Sequence, residues 1–225
     1  EALDLIAERF GDIRKKYGAD SLAGYASAKC TNEDNYLFQR FIRTVFGTNN
    51  IDYCTRLCHA STVTAMLKAI GDGAGSNPVE DFENADCLFV TGNNIIDTHP
   101  ITATYVKRAA AKGQKIIVVD PKWTPLVRYA TVWLRLKLGT DIALLNGLIH
   151  IIIKNGWINR KFIEERVEGG MEAFGRLEEL TSVYTPAFVS EITGVPAQDL
   201  IDAARLYSTA PTSMIATGMG MSQQV

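Results

Sequence analysis

Hydrophobic residues recur every three or four positions in two runs near the start of the chain, residues 3–17 and 37–45, which is the spacing of amphipathic helices. The first run predicts a helix that ends at Gly18, and a short strand is expected over residues 21–27. A second helix is expected after Thr31 or Asn32, either of which can cap its first turn. The polar run 47–50 ends that helix, so the chain opens with an α-β-α pattern.

Two continuous apolar runs, 87–91 and 115–119, are typical of strands buried on both faces of a parallel sheet. A helix predicted from Ile101 to Lys112 joins them into a βαβ unit, whose crossover should be right-handed. Further strands are predicted at 131–136 and 212–217. The pattern predicts an α/β fold: a Rossmann-like α/β/α domain with a mostly parallel sheet, plus part of a second α/β domain.

Three further helices are predicted, from Ile142 to about Asn155, near Pro186, and from Ala197 to Thr209, with a polar segment before the last two. Thr140 or Asp141 would cap the first of them.

We expect a domain boundary after residue 52. Residues 1–52 would then be a partial α/β segment of an adjoining domain, and residues 53–225 an α/β domain that binds a ligand. The glycine-rich segment 71–78 has two interpretations, a linker or a loop whose backbone N–H groups face an anion.

The composition is that of a globular protein, with 47% hydrophobic and 21% charged residues among 225. A formal net charge of -2 gives no indication of a nucleic-acid partner. The most apolar run, 142–153, is too short to span a bilayer and contains Asn146 and His150, so no membrane span is predicted. Because the chain starts at Glu1 rather than Met, we expect a fragment of a longer protein. The lack of secretion features favours the cytoplasm over the periplasm.

Candidate chemistry begins in the segment 53–62, where Cys58 is followed by His59 and preceded by Arg56. Ser61 and Thr62 are good N-caps, so a helix is predicted to start just after this pair. A helix N-terminus and an arginine both favour a thiolate, which can act as a nucleophile or as a soft metal ligand. A short Cys-His pair is also explained by a buried small residue beside an ordinary polar one, and this alternative stays open here.

Loops that follow predicted strands carry small and polar residues, and ligands of parallel α/β sheets bind outside the carboxyl ends of the strands. The candidates are Gly92, Asn93, Asn94, Asp97, Thr98, His99, Asp120, Pro121, Lys122, Gly139, Thr140, Asp141, Gly218, Met219, Gly220 and Gln223. Glycine and asparagine let backbone approach a phosphate, and aspartate accepts from a ribose hydroxyl or guanine. Taken singly, each loop is equally explained by a turn or a helix cap. The GxGxxG pattern is absent after residues 87–91, which argues against a plain NAD-binding domain.

The order of these motifs resembles the molybdopterin oxidoreductases and, within them, the catalytic subunits of formate dehydrogenases. The resemblance extends over essentially all 225 residues. The stretches that carry it are 30–36, 47–50, 56–59, 92–100, 119–122, 139–141 and 218–220.

That resemblance implies that Cys58 is the protein ligand to a molybdenum or tungsten ion. The other metal ligands would be sulfurs of a bis-molybdopterin guanine dinucleotide cofactor. His59 points to formate, since it could take up the proton released on oxidation or orient the substrate. Arg56 and the strand-end residues named above would hold the cofactor, with Asp141 or Asp120 at the guanine or the ribose.

The implied reaction is the reversible oxidation of formate to carbon dioxide, with electrons passed to a [4Fe–4S] cluster. The cysteine motif for that cluster is absent from this chain, so the cluster is expected in an N-terminal part of the protein outside it. An iron–sulfur or flavin electron-transfer subunit is the expected partner, and this segment alone should be inactive. The alternatives are another member of the family, such as a nitrate reductase, and a metal-free scaffold subunit of a respiratory complex. His59 argues against the first and Cys58 against the second.

Overall fold

The computed structural model describes residues 1–223, and the chain divides into two compact units, Glu1–Gly73 and Ala74–Val225. The sequence predicts a functional boundary after residue 52, whereas the division by compactness places the segment 53–73 in the first unit. The assignment of functional domains stays a prediction, and each unit is described by itself.

The first unit is built around a small parallel strand pair. Its elements are α1 (Ala2–Tyr17), β1 (Gly24–Ala26), α2 (Asn32–Phe41), β2 (Ile51–Tyr53), α3 (Thr55–Cys58) and α4 (Ala60–Ile70), with a 3₁₀ turn at Ala19–Ser21 and a π-helical turn at Ile42–Phe46. The prediction that a first helix ends at Gly18 is confirmed by α1. Thr31 caps α2 as predicted, because its Oγ1 accepts a hydrogen bond from Asp34 N at 3.2 Å. The first strand is shorter than predicted, since residues 19–21 form the 3₁₀ turn.

The second unit alternates strands and helices. Its elements are α5 (Asp81–Asn84), β3 (Cys87–Thr91), α6 (Ile95–Thr98), α7 (Pro100–Ala111), β4 (Lys115–Val119), a 3₁₀ helix (Pro125–Tyr129), β5 (Val132–Leu134), α8 (Asp141–Lys154), α9 (Arg160–Arg166), α10 (Gly170–Thr181), α11 (Pro186–Thr193), α12 (Ala197–Thr209), β6 (Ser213–Thr217) and α13 (Met219–Ser222). The predicted helices near Pro186 and from Ala197 to Thr209 are confirmed. Two helices, α9 and α10, lie in the segment predicted only as polar. Neither helix contributes much to the core, since α9 buries none of its residues and α10 buries only Thr181. The signal for α10 was nevertheless present, because Met171, Phe174 and Leu177 recur at three-residue spacing.

The sheet of the second unit has the strand order β5-β4-β3-β6, and every neighbouring pair is parallel. Thr91 is in register with Val119 on one side and with Thr217 on the other, and Val119 is in register with Leu134. The four strands therefore end level along one edge. The chain moves outward from β3 through β4 to β5 and returns to the far side of β3 as β6, so a topological switch point lies between β3 and β6. The predicted α/β fold with a parallel sheet is confirmed.

Each face of this sheet carries its own hydrophobic core, because successive side chains of a strand point to opposite faces. Cys87 and Phe89 pack with α8, α11 and α12, whereas Leu88 and Val90 pack with α7. Burial raises the pKa of the Cys87 thiol from its usual value of about 9 to about 11, with a further contribution from the charge of Asp86. Within residues 1–223, no helix is both long and apolar enough to cross a membrane.

Candidate functional site

The Cys58-His59 pair lies at the junction of two helices in the first unit. Cys58 is the last residue of α3, a single turn that is closed by a hydrogen bond from Cys58 N to Cys54 O at 2.9 Å. His59 directly precedes α4, and its carbonyl accepts from Val63 N at 2.8 Å. The prediction that Ser61 or Thr62 caps this helix is wrong. The chain passes from α3 into α4 through His59 alone, so the cap position falls there and both hydroxyl residues lie inside the helix.

The side chains of Cys58 and His59 are at least partly accessible to solvent. Cys58 is half-buried, whereas His59 and Arg56 are exposed. No residue in the part of the chain that the structure describes provides a hydrogen-bond or ion-pair partner to the side chain of Cys58 or His59. A half-buried thiol without a partner, next to an exposed imidazole, can take a ligand from outside this unit.

In the second unit, the ends of β3 and β6 interlock at the switch point. Gly92 has a φ of 57°, and its carbonyl accepts a hydrogen bond from Gly220 N at 3.0 Å. A β-carbon on Gly218 would lie 2.5 Å from Gly92 O, and one on Gly220 would lie 2.8 Å from Gly92 Cα. Asn93 adds a second connection, because its Nδ2 donates to Thr217 O at 3.0 Å. Glycine is therefore required here for the close approach of two backbones, whatever else binds beside them.

Met219 and Gln223 lie at the two ends of the short helix α13, which follows this interlock. Met219 opens the helix and is 49% exposed. Gln223 follows its end, is exposed, and donates its backbone N–H to Met219 O at 3.0 Å. Both side chains thus lie on the surface near the carboxyl ends of β3 and β6.

The loop after Gly92 turns into α6 through Asn94, which sits at the cap position. Asn94 Nδ2 donates to Asp97 Oδ2 at 2.7 Å, and Thr98 Oγ1 donates to Asn94 O at 2.8 Å. The other amide atom, Asn94 Oδ1, is shielded from solvent and has no hydrogen-bond partner among residues 1–223. His99 is exposed at the junction of α6 and α7. An orphaned buried acceptor on a strand-end loop is an unusual feature that a donor from a bound group would satisfy.

The end of β4 forms a tight turn. Asp120 Oδ1 accepts from Lys122 N at 2.8 Å, while Asp120 O accepts from Trp133 Nε1 at 2.9 Å. Pro121 between them is half-buried and Lys122 is exposed. One carboxylate oxygen of Asp120 is therefore already engaged by the backbone of its own turn.

Two residues beyond this turn are candidates that the sequence analysis did not single out. Trp123 is 47% exposed, and the Arg128 guanidinium lies 5.3 Å from the centre of its ring. Thr124 is buried, and its Oγ1 has no hydrogen-bond partner in the described residues. The signal was present, since both residues directly follow a strand-end motif and stand between the prolines at 121 and 125.

The loop after β5 delivers Gly139, Thr140 and Asp141 to the start of α8. Thr140 occupies the predicted cap position, but its Oγ1 donates to Lys137 O at 2.6 Å instead of capping the helix. Asp141 is the first helical residue and is half-buried. Its carboxylate has no hydrogen-bond or ion-pair partner among the described residues, so it remains available to an external donor.

The structure therefore brings the predicted residues of the second unit together at one edge. The loops that begin at Gly92, Asp120 and Gly218, and the loop that leads to Gly139, all leave the carboxyl ends of parallel strands that finish level. Cys58, His59 and Arg56 belong to the other unit. Residues 1–223 contain no group of three or more His, Cys, Asp or Glu side chains placed to hold a metal ion by themselves.

Comparisons with known proteins agree on one family. A family model described as molybdopterin oxidoreductase matches residues 1–225. The chain is 40% identical over 223 residues to F420-dependent formate dehydrogenase 1 subunit alpha of Methanococcus maripaludis, which covers 99% of this chain and 32% of the relative. It is 41% identical over 224 residues to formate dehydrogenase H of Escherichia coli, covering 99% of this chain and 31% of the relative.

A solved structure gives the same indication. Acetylene hydratase from Pelobacter acetylenicus matches with a TM-score of 0.73 and 28% identity, covering 98% of this chain and 29% of that chain. The chain spans about a third of the length of the curated relatives named above.

Proposed function

The chain belongs to the molybdopterin oxidoreductase family, and from that premise we propose that it is a segment of the catalytic subunit of a formate dehydrogenase. The observation that carries the proposal is the identity of 40–41% to formate dehydrogenase subunits over 99% of this chain. The proposed reaction is the reversible oxidation of formate to carbon dioxide, one proton and two electrons.

The proposed protein ligand to the metal is Cys58. Members of this family use a molybdopterin cofactor with molybdenum or tungsten, and a thiolate suits such a soft, sulfur-rich centre. The half-buried, unpartnered thiol of Cys58 supports this role, because nothing within its own unit competes for the sulfur. A bound cofactor of this kind supplies two-electron redox chemistry.

His59 is the proposed proton acceptor or substrate-orienting group. It follows Cys58 directly and its ring is exposed, so one ring nitrogen could accept the proton released from formate, or a ring N–H could donate a hydrogen bond to the formate carboxylate. Its position between α3 and α4 is fixed by the backbone hydrogen bonds on either side, which hold the imidazole close to the ligand residue.

We propose the guanine dinucleotide form of the cofactor, held along the strand-end loops of the second unit. The fit rests on three groups that find no hydrogen-bond partner within residues 1–223: Asn94 Oδ1, Thr124 Oγ1 and the Asp141 carboxylate. Amino and hydroxyl groups of a pterin, a ribose or a guanine are donors of the kind these atoms need. The residues present therefore fit the group.

Asp141 is a better candidate than Asp120 for the guanine contact. A guanine presents two adjacent N–H donors, which a carboxylate accepts with both oxygens. Asp120 Oδ1 already accepts from Lys122 N at 2.8 Å, whereas the Asp141 carboxylate has both oxygens free of partners among the described residues. For Lys122, the proposed contact is a phosphate of the cofactor, because the positive charge of the ammonium group attracts the negative phosphate oxygens.

The proposal includes a [4Fe–4S] cluster outside this segment, which would receive the electrons and pass them to an iron–sulfur or flavin subunit. It also includes a cytoplasmic location, which cell fractionation followed by a formate assay would test. The proposal names no final electron acceptor, because the chain is 40% identical to the F420-dependent subunit and 41% identical to the Escherichia coli enzyme.

The direct test is formate-dependent reduction of a viologen dye by the full-length protein, with nitrate-dependent oxidation of the reduced dye as the comparison. Formate turnover without nitrate turnover is the expected result. Nitrate turnover alone would favour another enzyme of the family. The fold by itself does not choose the reaction, since a protein named as a hydratase has the same architecture.

A further inference from the structure

Two of the four cysteines of the chain line one cavity in the first unit. The cavity has a volume of about 630 Å³ and lies beneath the turn between β1 and α2. Cys30 and Cys54 are both in its wall, with Ser27, Asn35 and Phe38. Cys30 is exposed, Cys54 is half-buried, and neither is bonded to another cysteine. The proposed mechanism uses neither thiol.

Hydrogen bonds hold the turn of Cys30 against the sulfur of Cys54. Ala28 N donates to Cys54 Sγ at 3.2 Å, a contact that joins residues 26 positions apart. Cys30 N donates to Ser27 O at 3.2 Å, and Lys29 N donates to Ser27 Oγ at 3.1 Å. The turn therefore folds Cys30 back toward the residue that touches Cys54.

The strand register places the two cysteines near one another. Ala26 is in register with Tyr53, so Ser27 and Cys54 directly follow paired positions of two neighbouring strands. The turn from Ser27 to Cys30 then returns the chain, since a β-turn brings the α-carbon of its fourth residue within about 7 Å of the first. A disulfide needs α-carbons about 4.4–6.8 Å apart. An adjustment of the exposed turn with rotation of the Cys30 side chain is the motion that closure requires, and both side chains line the same cavity.

We propose that Cys30 and Cys54 are a dithiol that closes reversibly to a disulfide in the folded protein. A low-molecular-weight disulfide is the oxidant. The accessible Cys30 thiolate attacks one of its sulfurs and releases one small thiol, and Cys54 then attacks Cys30 Sγ and releases the second. Two cysteine thiols are oxidised and one small disulfide is reduced to two thiols, so protons and electrons balance.

The bond would restrain the helix that carries the proposed metal ligand. Cys54 occupies the position before α3, and its carbonyl accepts from Cys58 N at 2.9 Å, so a link at Cys54 ties the single turn before Cys58 to the β1–α2 turn. This consequence for the metal ligand rests on the proposed function. Formation of the disulfide does not.

The test is disulfide mapping on the full-length protein under native conditions. The protein is titrated with oxidised glutathione, free thiols are alkylated, and the chain is cut with trypsin. Cleavage after Lys29, Arg40, Arg43 and Arg56 places Cys30, Cys54 and Cys58 in three different peptides. The expected product is a linked pair of peptides, 30–40 with 44–56, that separates on reduction.

Two matched variants test whether the link depends on Cys30. Cys30→Ser should abolish the link, whereas Cys87→Ser, which removes a thiol buried in the other unit, should leave it intact. A Cys54–Cys58 link, a glutathione adduct that stays on Cys30, or two alkylated thiols at saturating oxidant would each overturn the proposal. The mapping needs no formate turnover, so its failure and the failure of the proposed function are seen separately.

A second readout tests the restraint itself. Amide hydrogen exchange over residues 55–60 should slow several-fold in the oxidised protein relative to the reduced protein. Exchange that is identical in the two forms, with the link present, would overturn the inferred restraint on α3.

Discussion

Cys58 ends a one-turn helix with its thiol half-buried and without a partner among the described residues. At the scale of single residues, the proposed chemistry depends on this sulfur. The Ser61/Thr62 cap expected from the sequence is wrong, because His59 itself occupies the position before α4.

Cys58→Ala should lower formate turnover of the full-length protein by about 10³-fold or more, because it removes the proposed protein ligand of the metal. Circular dichroism should stay unchanged, since the side chain is only half-buried. Cys30→Ala, assayed under reducing conditions, is the matched control and should keep its activity. Retained turnover in Cys58→Ala would reject the assignment.

Asp141→Asn should weaken retention of the guanine nucleotide by about 10- to 100-fold, because an amide replaces one of two acceptors and removes the charge. The measurement is guanine released per chain after exhaustive gel filtration of the full-length protein. Asp120→Asn should have the smaller effect, since Asp120 already accepts from the backbone of Lys122. If Asp120→Asn lost more guanine nucleotide than Asp141→Asn, Asp120 rather than Asp141 would be the residue that contacts the guanine.

Cys87 gives a prediction about pH. Burial raises the pKa of its thiol to about 11, from about 9 in an unfolded chain. Between these values the unfolded chain has lost the proton that the folded chain retains. The stability contribution is therefore complete below pH 9 and falls by about 2–3 kcal/mol as the pH rises to 11. Cys87→Ala should flatten this part of the stability-against-pH curve from chemical denaturation, and an unchanged slope would contradict the prediction.

At the scale of elements, the interlock of the loops after β3 and β6 defines the switch point. Gly218→Ala would place a β-carbon 2.5 Å from Gly92 O. The unfolding free energy should fall by about 1–3 kcal/mol, because the two backbones must separate. Gly175→Ala is the matched control, since that glycine lies in α10 with nothing within 4 Å of the added carbon. Equal stability of the two variants would show that the interlock is not tight.

The elements also show what the sequence could and could not determine. β3 and β4 were predictable because both are continuous apolar runs that are buried on both faces. The helix α10 was also predictable, because Met171, Phe174 and Leu177 recur at three-residue spacing, but the interpretation of its segment as only polar overlooked them. For the candidate site, the positions of the predicted strands were enough to locate the loops that follow them. The pairing of Gly92 with Gly218 and Gly220 depends on strand order, which no local pattern contains.

At the scale of the whole molecule, the four strands of the second unit present their loops along one edge, and this arrangement follows from parallel order and level register together. The structure also distinguishes cofactor-binding candidates, such as Asp120 and Asp141, that the sequence did not separate. Among residues 1–223, the Asp141 carboxylate and the buried Thr124 hydroxyl have no hydrogen-bond partner, whereas Asp120 is partly engaged. Under the proposed function, these acceptors would share one ligand, the molybdopterin cofactor of the family.

The most direct test of the account is analysis of the natively matured, full-length protein for molybdenum, tungsten and guanine nucleotide. Near-stoichiometric molybdenum or tungsten with about two guanine nucleotides per chain is the predicted result, because the proposed cofactor contains two dinucleotides around one metal. Protein that contains neither metal nor guanine nucleotide would contradict the enzyme assignment and would favour a metal-free scaffold subunit.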